Sequence, residues 1–265
     1  MIIIGEKINA TRKTISAALE ARDEKFIQAI ALEQVKAGAQ YLDINGGAPW
    51  EDREMQNMAW LTDVVQAVTD LPLCVDSASP KAVTTGLSRA KKKPILNSVS
   101  LERSRLEPLL PIVADYDCMV VALLTSDNGP PHGVEDRIRN AASLIEKLMA
   151  AGKKLEEIIV DPCFLPIYSD TTCGLKTIEG IAAIRKLWPE VHIGGGVSNA
   201  SYGLPKRKHI NFALLSQAIV YGMDAAIIDP CVEGIMATIY AAEAVAGRDE
   251  FCMNYVTAER EGKLV

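Results

Sequence analysis

Short apolar runs alternate with longer amphipathic stretches from one end of the chain to the other. The runs are nearly continuous in hydrophobicity and rich in β-branched residues, which is typical of parallel strands buried on both faces. They predict eight strands, over residues 2–8, 41–45, 73–77, 95–99, 118–125, 158–161, 191–195 and 225–229. The amphipathic stretches predict helices over residues 15–38, 51–69, 80–90, 102–114, 134–151, 177–188, 210–222 and 232–247.

Eight strand–helix pairs in 265 residues are the content of a closed (β/α)8 barrel, or TIM barrel. A doubly wound open sheet is the alternative, and its phosphate-binding fingerprint would follow the first strand. The segment found there, Gly5-Glu6-Lys7-Ile8-Asn9-Ala10, is not glycine-rich. We therefore predict a single barrel domain over residues 1–265, because no linker-like change of composition interrupts the alternation.

Composition and charge argue against several function classes. No apolar run approaches the ~20 residues of a membrane helix, and the amino terminus lacks the pattern of a signal peptide. The formal net charge is −6, and the basic run Lys91-Lys92-Lys93 fits a solvated turn better than a nucleic-acid surface. Six scattered cysteines without a C-x-x-C pair predict reduced thiols in the cytoplasm. The three histidines share no metal-ligand spacing with them, so we predict no bound metal.

Acids, amides and hydroxyls stand at the carboxyl ends of almost all the predicted strands. They are Glu6 and Asn9, Asp43 and Asn45, Asp76, Asn97, Thr125 and Asp127, Asp161, Ser198 and Asn199, and Asp229. In a barrel these positions open onto one mouth, where barrel enzymes carry out their chemistry. Any one of them could instead cap a helix or bond locally. Asp43, Asp76 and Asp161, however, lie inside apolar runs, where caps do not belong.

The chemistry of this predicted mouth narrows the function. It holds no clustered His, Lys or Cys, which argues against nucleophilic hydrolysis and against Schiff-base aldolases. The carboxylates could hold Mg²⁺, but the interleaved amides and hydroxyls suit a neutral, hydrogen-bonding ligand better. A flat heterocycle with an amide N–H beside an exocyclic amine matches such groups, since a carboxylate accepts both donors. A pterin and a guanine both answer this description.

The order and spacing of six motifs carry a resemblance to a known family. The motifs are Ile4-Gly5-Glu6-Lys7-Ile8-Asn9, Leu42-Asp43-Ile44-Asn45, Leu73-Cys74-Val75-Asp76-Ser77, Ile95-Leu96-Asn97-Ser98, Val160-Asp161-Pro162 with Leu165-Pro166, and Gly196-Val197-Ser198-Asn199. Over essentially its whole length the chain resembles the methyltetrahydrofolate–corrinoid methyltransferases, pterin-binding barrels of the dihydropteroate synthase-like type. They are related to the folate module of cobalamin-dependent methionine synthase.

The resemblance implies roles for particular residues. Asp76, Asn97 and Asp161 should grip the pterin ring edge, with Asp43 nearby and Gly196 and Ser198 shaping the wall. Asn199 should act at the methylated ring nitrogen, where an amide can stabilise the developing charge. Arg207 should contact the folate tail or orient the loop, although Lys206 and Lys208 beside it also fit a solvated basic stretch.

The resemblance also implies a reaction and its partners. A methyl group should pass between tetrahydrofolate, or methyltetrahydrofolate, and the cobalt of a cobalamin carried by a separate corrinoid protein; the direction stays open. The family further suggests a homodimer. No corrinoid-carrying motif stands in the chain, since Glu190-x-His192-x-x-Gly195 has the wrong acid and leads into a predicted barrel strand.

Two other readings remain in view. A dihydropteroate synthase-like enzyme would need an Arg-x-His near the eighth strand, where Ile227-Ile228-Asp229-Pro230-Cys231 stands instead. A non-catalytic folate-binding subunit would keep the pocket alone.

Two departures from the family pattern also need an account. For the glycines Gly194-Gly195-Gly196 we prefer the close approach of a flat ring, and the turn-rich segment 126–133 reads equally as a lid, a docking surface or a plain loop.

Overall fold

The computed structural model describes residues 1–264 and contains a closed barrel of eight parallel strands paired in chain order. The strands are β1 (Ile2–Asn9), β2 (Tyr41–Asn45), β3 (Leu73–Asp76), β4 (Ile95–Leu101), β5 (Met119–Ser126), β6 (Ile158–Asp161), β7 (His192–Gly196) and β8 (Ala225–Ile228). The predicted barrel is thereby confirmed. All eight predicted strands are present, with small differences at their ends.

Helices surround this barrel between successive strands. They are α1 (Lys13–Ala21), α2 (Glu24–Lys36), α3 (Glu51–Gln66), α4 (Pro80–Arg89), α5 (Arg103–Asp115), α6 (Val134–Ala150), α7 (Cys173–Leu187), α8 (Arg207–Val220), α9 (Ile235–Val245) and α10 (Met253–Arg260). Within the described part of the chain, none of them is long and apolar enough to span a bilayer.

The helical prediction was wrong in two places. The stretch 15–38 forms two helices, because Arg22 takes a left-handed conformation (φ 53°) and the Asp23 side chain accepts the N–H of Phe26 to cap a new helix. The final helix α10 follows a short 3-10 turn at Glu250–Cys252 and was not predicted. Neither difference touches the carboxyl ends of the strands.

The core has two parts that together decide where a cavity can form. A large cluster fills the space between strands and helices, and a small one fills the amino-terminal half of the barrel interior with Ile4, Cys74, Ile95, Met119 and Ile159 among its members. This inner cluster closes one end of the barrel. Any cavity must therefore open at the other end, where the strands terminate.

Side chains two residues apart on a strand point to the same face. Cys74, Ile95 and Ile159 belong to the inner cluster. Asp76, Asn97 and Asp161 stand two residues further along the same three strands, and all three line the cavity at the mouth. The strand period thus places a polar layer directly above an apolar floor.

Gly194 marks the closest approach of two neighbouring strands. A Cβ built there would lie 2.1 Å from the carbonyl oxygen of Ala225, its pairing partner on β8. That atom belongs to the backbone of the barrel and cannot rotate aside.

We expect Gly194→Ala to lower the free energy of unfolding by about 1–3 kcal/mol or more, because the added methyl overpacks the β7–β8 pair. Gly174→Ala is the control, since its Cβ would meet only Ile167 at an ordinary 3.5 Å. Denaturant unfolding of both variants measures the difference. Equal stability of the two would contradict the packing argument.

Candidate functional site

A cavity of about 740 Å³ opens at the carboxyl ends of the strands, within the range of small-molecule sites. All eight residues that the sequence predicted to bind a ligand line it: Asp43, Asp76, Asn97, Asp161, Gly196, Ser198, Asn199 and Arg207. They come from five strands, the loop after β7 and the start of α8, so only barrel closure could bring them together.

Two carboxyls on β2 and β3 form the deepest polar part of the cavity. The Asn97 amide donates to Asp43 Oδ1 at 3.2 Å, and the Asn45 amide donates to Asp76 Oδ2 at 2.9 Å. Burial raises the pKa of both acids, and the charge of Asp76 raises the pKa of Asp43 further. A carboxyl that holds its proton donates one hydrogen bond as well as accepting others, so this pair can meet a heterocycle edge that carries both donors and acceptors.

Asp161 is fixed by the backbone that surrounds it. Its Oδ1 accepts the N–H of Cys163 at 2.9 Å, and the backbone of Gly196 also hydrogen-bonds its side chain. Burial raises the pKa of Asp161 to about 6, although these N–H donors act in the opposite direction. A Cβ at Gly195 would fall 2.2 Å from Asp161 Oδ2. Gly195 is therefore required to admit the carboxylate.

The buried guanidinium of Arg137 holds the loop that follows Asp161. Its Nε donates to the carbonyl of Pro162 at 2.8 Å, and its Nη2 donates to the Thr177 hydroxyl at 2.7 Å and to the carbonyl of Cys163 at 3.3 Å. These bonds fix the two residues directly after Asp161. No pattern in the sequence marked Arg137, because its position on α6 reads as an ordinary helical arginine.

The loop after β7 is a short 3-10 helix, Val197–Ser201. Arg207 holds it through Nη2 to the carbonyl of Ser198 at 2.5 Å and Nε to the Ser201 hydroxyl at 2.9 Å. Arg207 also lines the cavity. Of its predicted roles, the geometry supports orientation of the loop. Asn199 is exposed at this loop, with its Nδ2 3.0 Å from the place of a Cβ on Gly196.

Four charged residues of the cavity were not among the predicted ligand-binding residues: Glu6, Arg12, Lys208 and Asp229. Arg12, in the loop after β1, lies 3.7 Å from Glu6 Oε1 and 3.7 Å from Asp229 Oδ2. The Ser198 hydroxyl donates to Glu6 at 3.5 Å. Glu6 and Asp229 stood at strand ends in the sequence, whereas Arg12 carried no signal, because a loop side chain is placed by tertiary structure alone.

Some strand-end residues do not reach the cavity. The Thr125 hydroxyl donates to Glu102, and Asp127 accepts the backbone N–H of Arg103 at the start of α5. Neither residue lines the cavity, and Asn45 stands behind Asp76. At these positions the structure contains capping or local hydrogen bonds. This is the alternative to ligand binding that the sequence left open.

For two of the three glycines at the end of β7, the cause differs from the predicted approach of a flat ring, whereas Gly196 lines the cavity and the prediction stays open there. Gly194 and Gly195 are required by the Ala225 backbone and the Asp161 carboxylate, so the space beside them belongs to the protein and not to an approaching ring.

In segment 126–133, Ser126 and Gly129 close a tight turn through two backbone hydrogen bonds. His192 pairs with Asp224 at 2.9 Å at the opposite end of the barrel.

Metal ligands do not cluster in the described residues: no three His, Cys, Asp or Glu side chains come together in a way that could hold an ion. Two acids of the cavity instead accept hydrogen bonds from the amides of Asn45 and Asn97. The arrangement suits hydrogen bonding to an organic ligand.

Asp161 generates a pH-dependent prediction. Its pKa is raised from 3.8 to about 6 in the fold, so the folded state binds the proton more tightly than the unfolded state. The stabilisation is complete below about pH 4 and is lost as the pH rises through 6; the shift corresponds to roughly 3 kcal/mol.

The free energy of unfolding of the wild type minus that of Asp161→Asn should therefore decrease over this pH interval. Asp70→Asn, at an exposed position, is the control and should give a flat difference. Urea unfolding at a series of pH values measures both. A flat difference for Asp161→Asn would refute the assigned pKa shift.

Comparisons with known proteins agree with this geometry. The family described as pterin binding enzyme matches residues 5–229. The methylcorrinoid:tetrahydrofolate methyltransferase of Eubacterium limosum is 35% identical, with all of this chain and 98% of that protein covered. Methionine synthase of Mycobacterium leprae is 28% identical over 86% of this chain, which spans only 20% of that protein.

Solved structures show the same fold at low identity. Dihydropteroate synthase from Clostridium difficile superposes with a TM-score of 0.73 at 17% identity, covering 92% of this chain and 96% of the other. The enzyme from Xanthomonas albilineans gives 0.72 at 20% identity with 92% of each chain covered. From its family match and its full-length relative, the chain belongs to the pterin-binding enzymes and is a methyltransferase of that family.

Proposed function

We propose that this protein transfers a methyl group from the cobalt of a methylated corrinoid protein to tetrahydrofolate. The direction is that named for the relative from Eubacterium limosum, which matches the chain over its full length. The observation that carries the proposal is the meeting of Asp76, Asn97, Asp161 and Asn199 in one cavity. We further propose one domain over residues 1–265, a homodimer and a cytoplasmic location.

The deep acids suit the pterin ring of the folate. Asp43 and Asp76 have raised pKa values through burial, and Asp161 lies across the cavity on β6. A pterin edge presents an amide N–H and an amine beside ring acceptors, and these acids with Asn97 supply both kinds of partner. Because the acids are already desolvated and held by neighbouring amides, the ring meets a prepared site.

Asn199 is assigned to the ring nitrogen that receives the methyl group. Charge changes at this nitrogen during transfer, and an amide held nearby can stabilise the change without being a strong acid. Arg207 fixes the backbone of the preceding residue, Ser198. The side chain thus projects from a loop of defined geometry into the shared cavity.

The corrinoid would arrive on a partner protein that covers the mouth. The loops after β2, β6 and β7 present three large exposed aromatic side chains, Trp50 (76% exposed), Tyr168 (61%) and Tyr202 (64%). Tyrosine and tryptophan are enriched in the energetically dominant parts of protein interfaces. Since cobalt must come within bonding distance of the folate, a partner that delivers it must cover these loops.

Asn199→Ala should slow methyl transfer by about 10²-fold or more, because it removes an electrostatic contact made at the reacting nitrogen. Absorbance of the corrinoid, measured with tetrahydrofolate and methylcobalamin, follows the reaction. Asn128→Ala, in the 126–129 turn outside the cavity, is the matched control and should keep the wild-type rate. A silent Asn199→Ala would remove the assigned role.

Asp161→Ala should chiefly weaken tetrahydrofolate binding, measured by calorimetry.

If the wild type moved no methyl group but condensed a pterin diphosphate with p-aminobenzoate, the proposed function would be wrong and a dihydropteroate synthase-like function would replace it.

Tyr202→Ser should raise the KM for a methylated corrinoid protein. The rate with free methylcobalamin should stay unchanged, because only the protein substrate contacts the loops after β2, β6 and β7. Phe251→Ala, exposed on the connection after α9, is the control on a surface away from the mouth. Equal KM values for both variants would argue against docking at these loops.

A further inference from the structure

Glu6 is a half-buried acid that the assigned roles leave unused. It stands near the end of β1 and lines the same cavity as Asn199. The Ser198 hydroxyl donates to Glu6 Oε1 at 3.5 Å, and Ser198 directly precedes Asn199 in the loop. Glu6 is thereby connected to the part of the site where the ring nitrogen is expected.

Charged groups of both signs surround Glu6. Arg12 lies 3.7 Å from Glu6 and 3.7 Å from Asp229, so two carboxyls share one guanidinium. Arg207 faces the same region, where its charge lowers the pKa of Glu6, while its Nε and Nη2 donate to Ser201 and Ser198. Asp43 adds a further acid from the neighbouring strand β2. One of the two carboxyls can hold a proton without leaving the guanidinium unpaired.

Burial is the largest cause of a raised pKa at Glu6. The charge of Arg12 lowers the pKa and that of Asp229 raises it, and the result is about 7. An acid with a pKa near the working pH is suited to carry a proton in either direction.

We propose that Glu6 is the proton acceptor of the methyl transfer. The inference rests on the proposed function. As the ring nitrogen of tetrahydrofolate forms its bond to the methyl carbon, the cobalt–carbon bond breaks and its electron pair stays on cobalt. In the same step the nitrogen releases its proton to the Glu6 carboxylate, and solvent later removes that proton from Glu6. In the reverse reaction Glu6 returns the proton to the nitrogen as the methyl group leaves.

The sign of the pH dependence follows from this role. Methyl transfer to tetrahydrofolate needs ionised Glu6, so its rate should rise with pH through about 7. Single-turnover absorbance with methylcobalamin and tetrahydrofolate measures this profile. Glu6→Gln should remove the rise and slow the transfer by about 10²-fold, while calorimetry should find unchanged tetrahydrofolate binding.

Two neighbouring variants shift the profile without removing Glu6. Asp229→Asn takes away a negative charge that raises the pKa of Glu6, so the midpoint should move to lower pH. Arg12→Gln takes away a positive charge that lowers it, so the midpoint should move to higher pH. A purely structural role of Glu6 predicts no such opposite movements.

The outcomes separate the two proposals. A wild type that moves no methyl group in either direction refutes the proposed function and this inference with it. A wild type that transfers methyl while Glu6→Gln keeps its rate and profile refutes the inference alone. The inference alone is also refuted if Glu6→Gln loses folate binding in proportion to its loss of rate. It is likewise refuted if the midpoint of the pH–rate profile fails to move in Asp229→Asn and Arg12→Gln.

Discussion

The site depends on burying carboxylic acids above an apolar floor inside the barrel. On β3, β4 and β6 the inner position that holds Cys74, Ile95 or Ile159 is followed two residues later by Asp76, Asn97 or Asp161. The floor excludes water from below, so the acids keep little of their hydration. Burial of an acid favours its neutral form, and the raised pKa values of Asp43, Asp76 and Asp161 are its direct result.

This burial costs stability and prepares the site for a ligand. An isolated buried carboxylate costs free energy, and the groups that donate hydrogen bonds directly to these acids are neutral. Asn97 serves Asp43, Asn45 serves Asp76, and the backbone of Cys163 serves Asp161. Neutral donors leave the acids able to accept bonds from an incoming heterocycle. A cation at each acid would have occupied the same oxygens.

The fold and the acids and amides at the strand ends were accessible from the sequence, because both follow from the strand period, whereas Arg207 was found through the family resemblance and Arg12 was not found. An apolar run that ends in an acid or amide predicts a strand, the face that points into the barrel and the end that lies at the cavity. The same rule failed at Thr125 and Asp127, since β5 extends to Ser126 and these side chains bond to Glu102 and Arg103. The strand period predicts the face on which a side chain lies. It does not predict a neighbouring group that hydrogen-bonds that side chain instead.

What the sequence could not give are contacts made between distant segments. Arg137 reaches from α6 to Pro162 and Cys163, and Gly180 on α7 leaves the room for it, since a Cβ there would lie 2.4 Å from its Cδ. Gly195 matters because of Asp161 on another strand. No local pattern encodes either relation. They become visible only once the barrel has closed.

The loop after β7 links the two electrostatic regimes of the cavity. On one side, the backbone of Gly196 bonds Asp161, which belongs to the neutral-donor layer. On the other side, Ser198 bonds Glu6, which belongs to a cluster balanced by Arg12. Asn199 follows directly, so a single segment connects the residues to which we assign ring recognition and proton transfer. Arg207, by fixing the carbonyl of Ser198, holds both relations in register, and a displacement of this loop would disturb binding and proton transfer together.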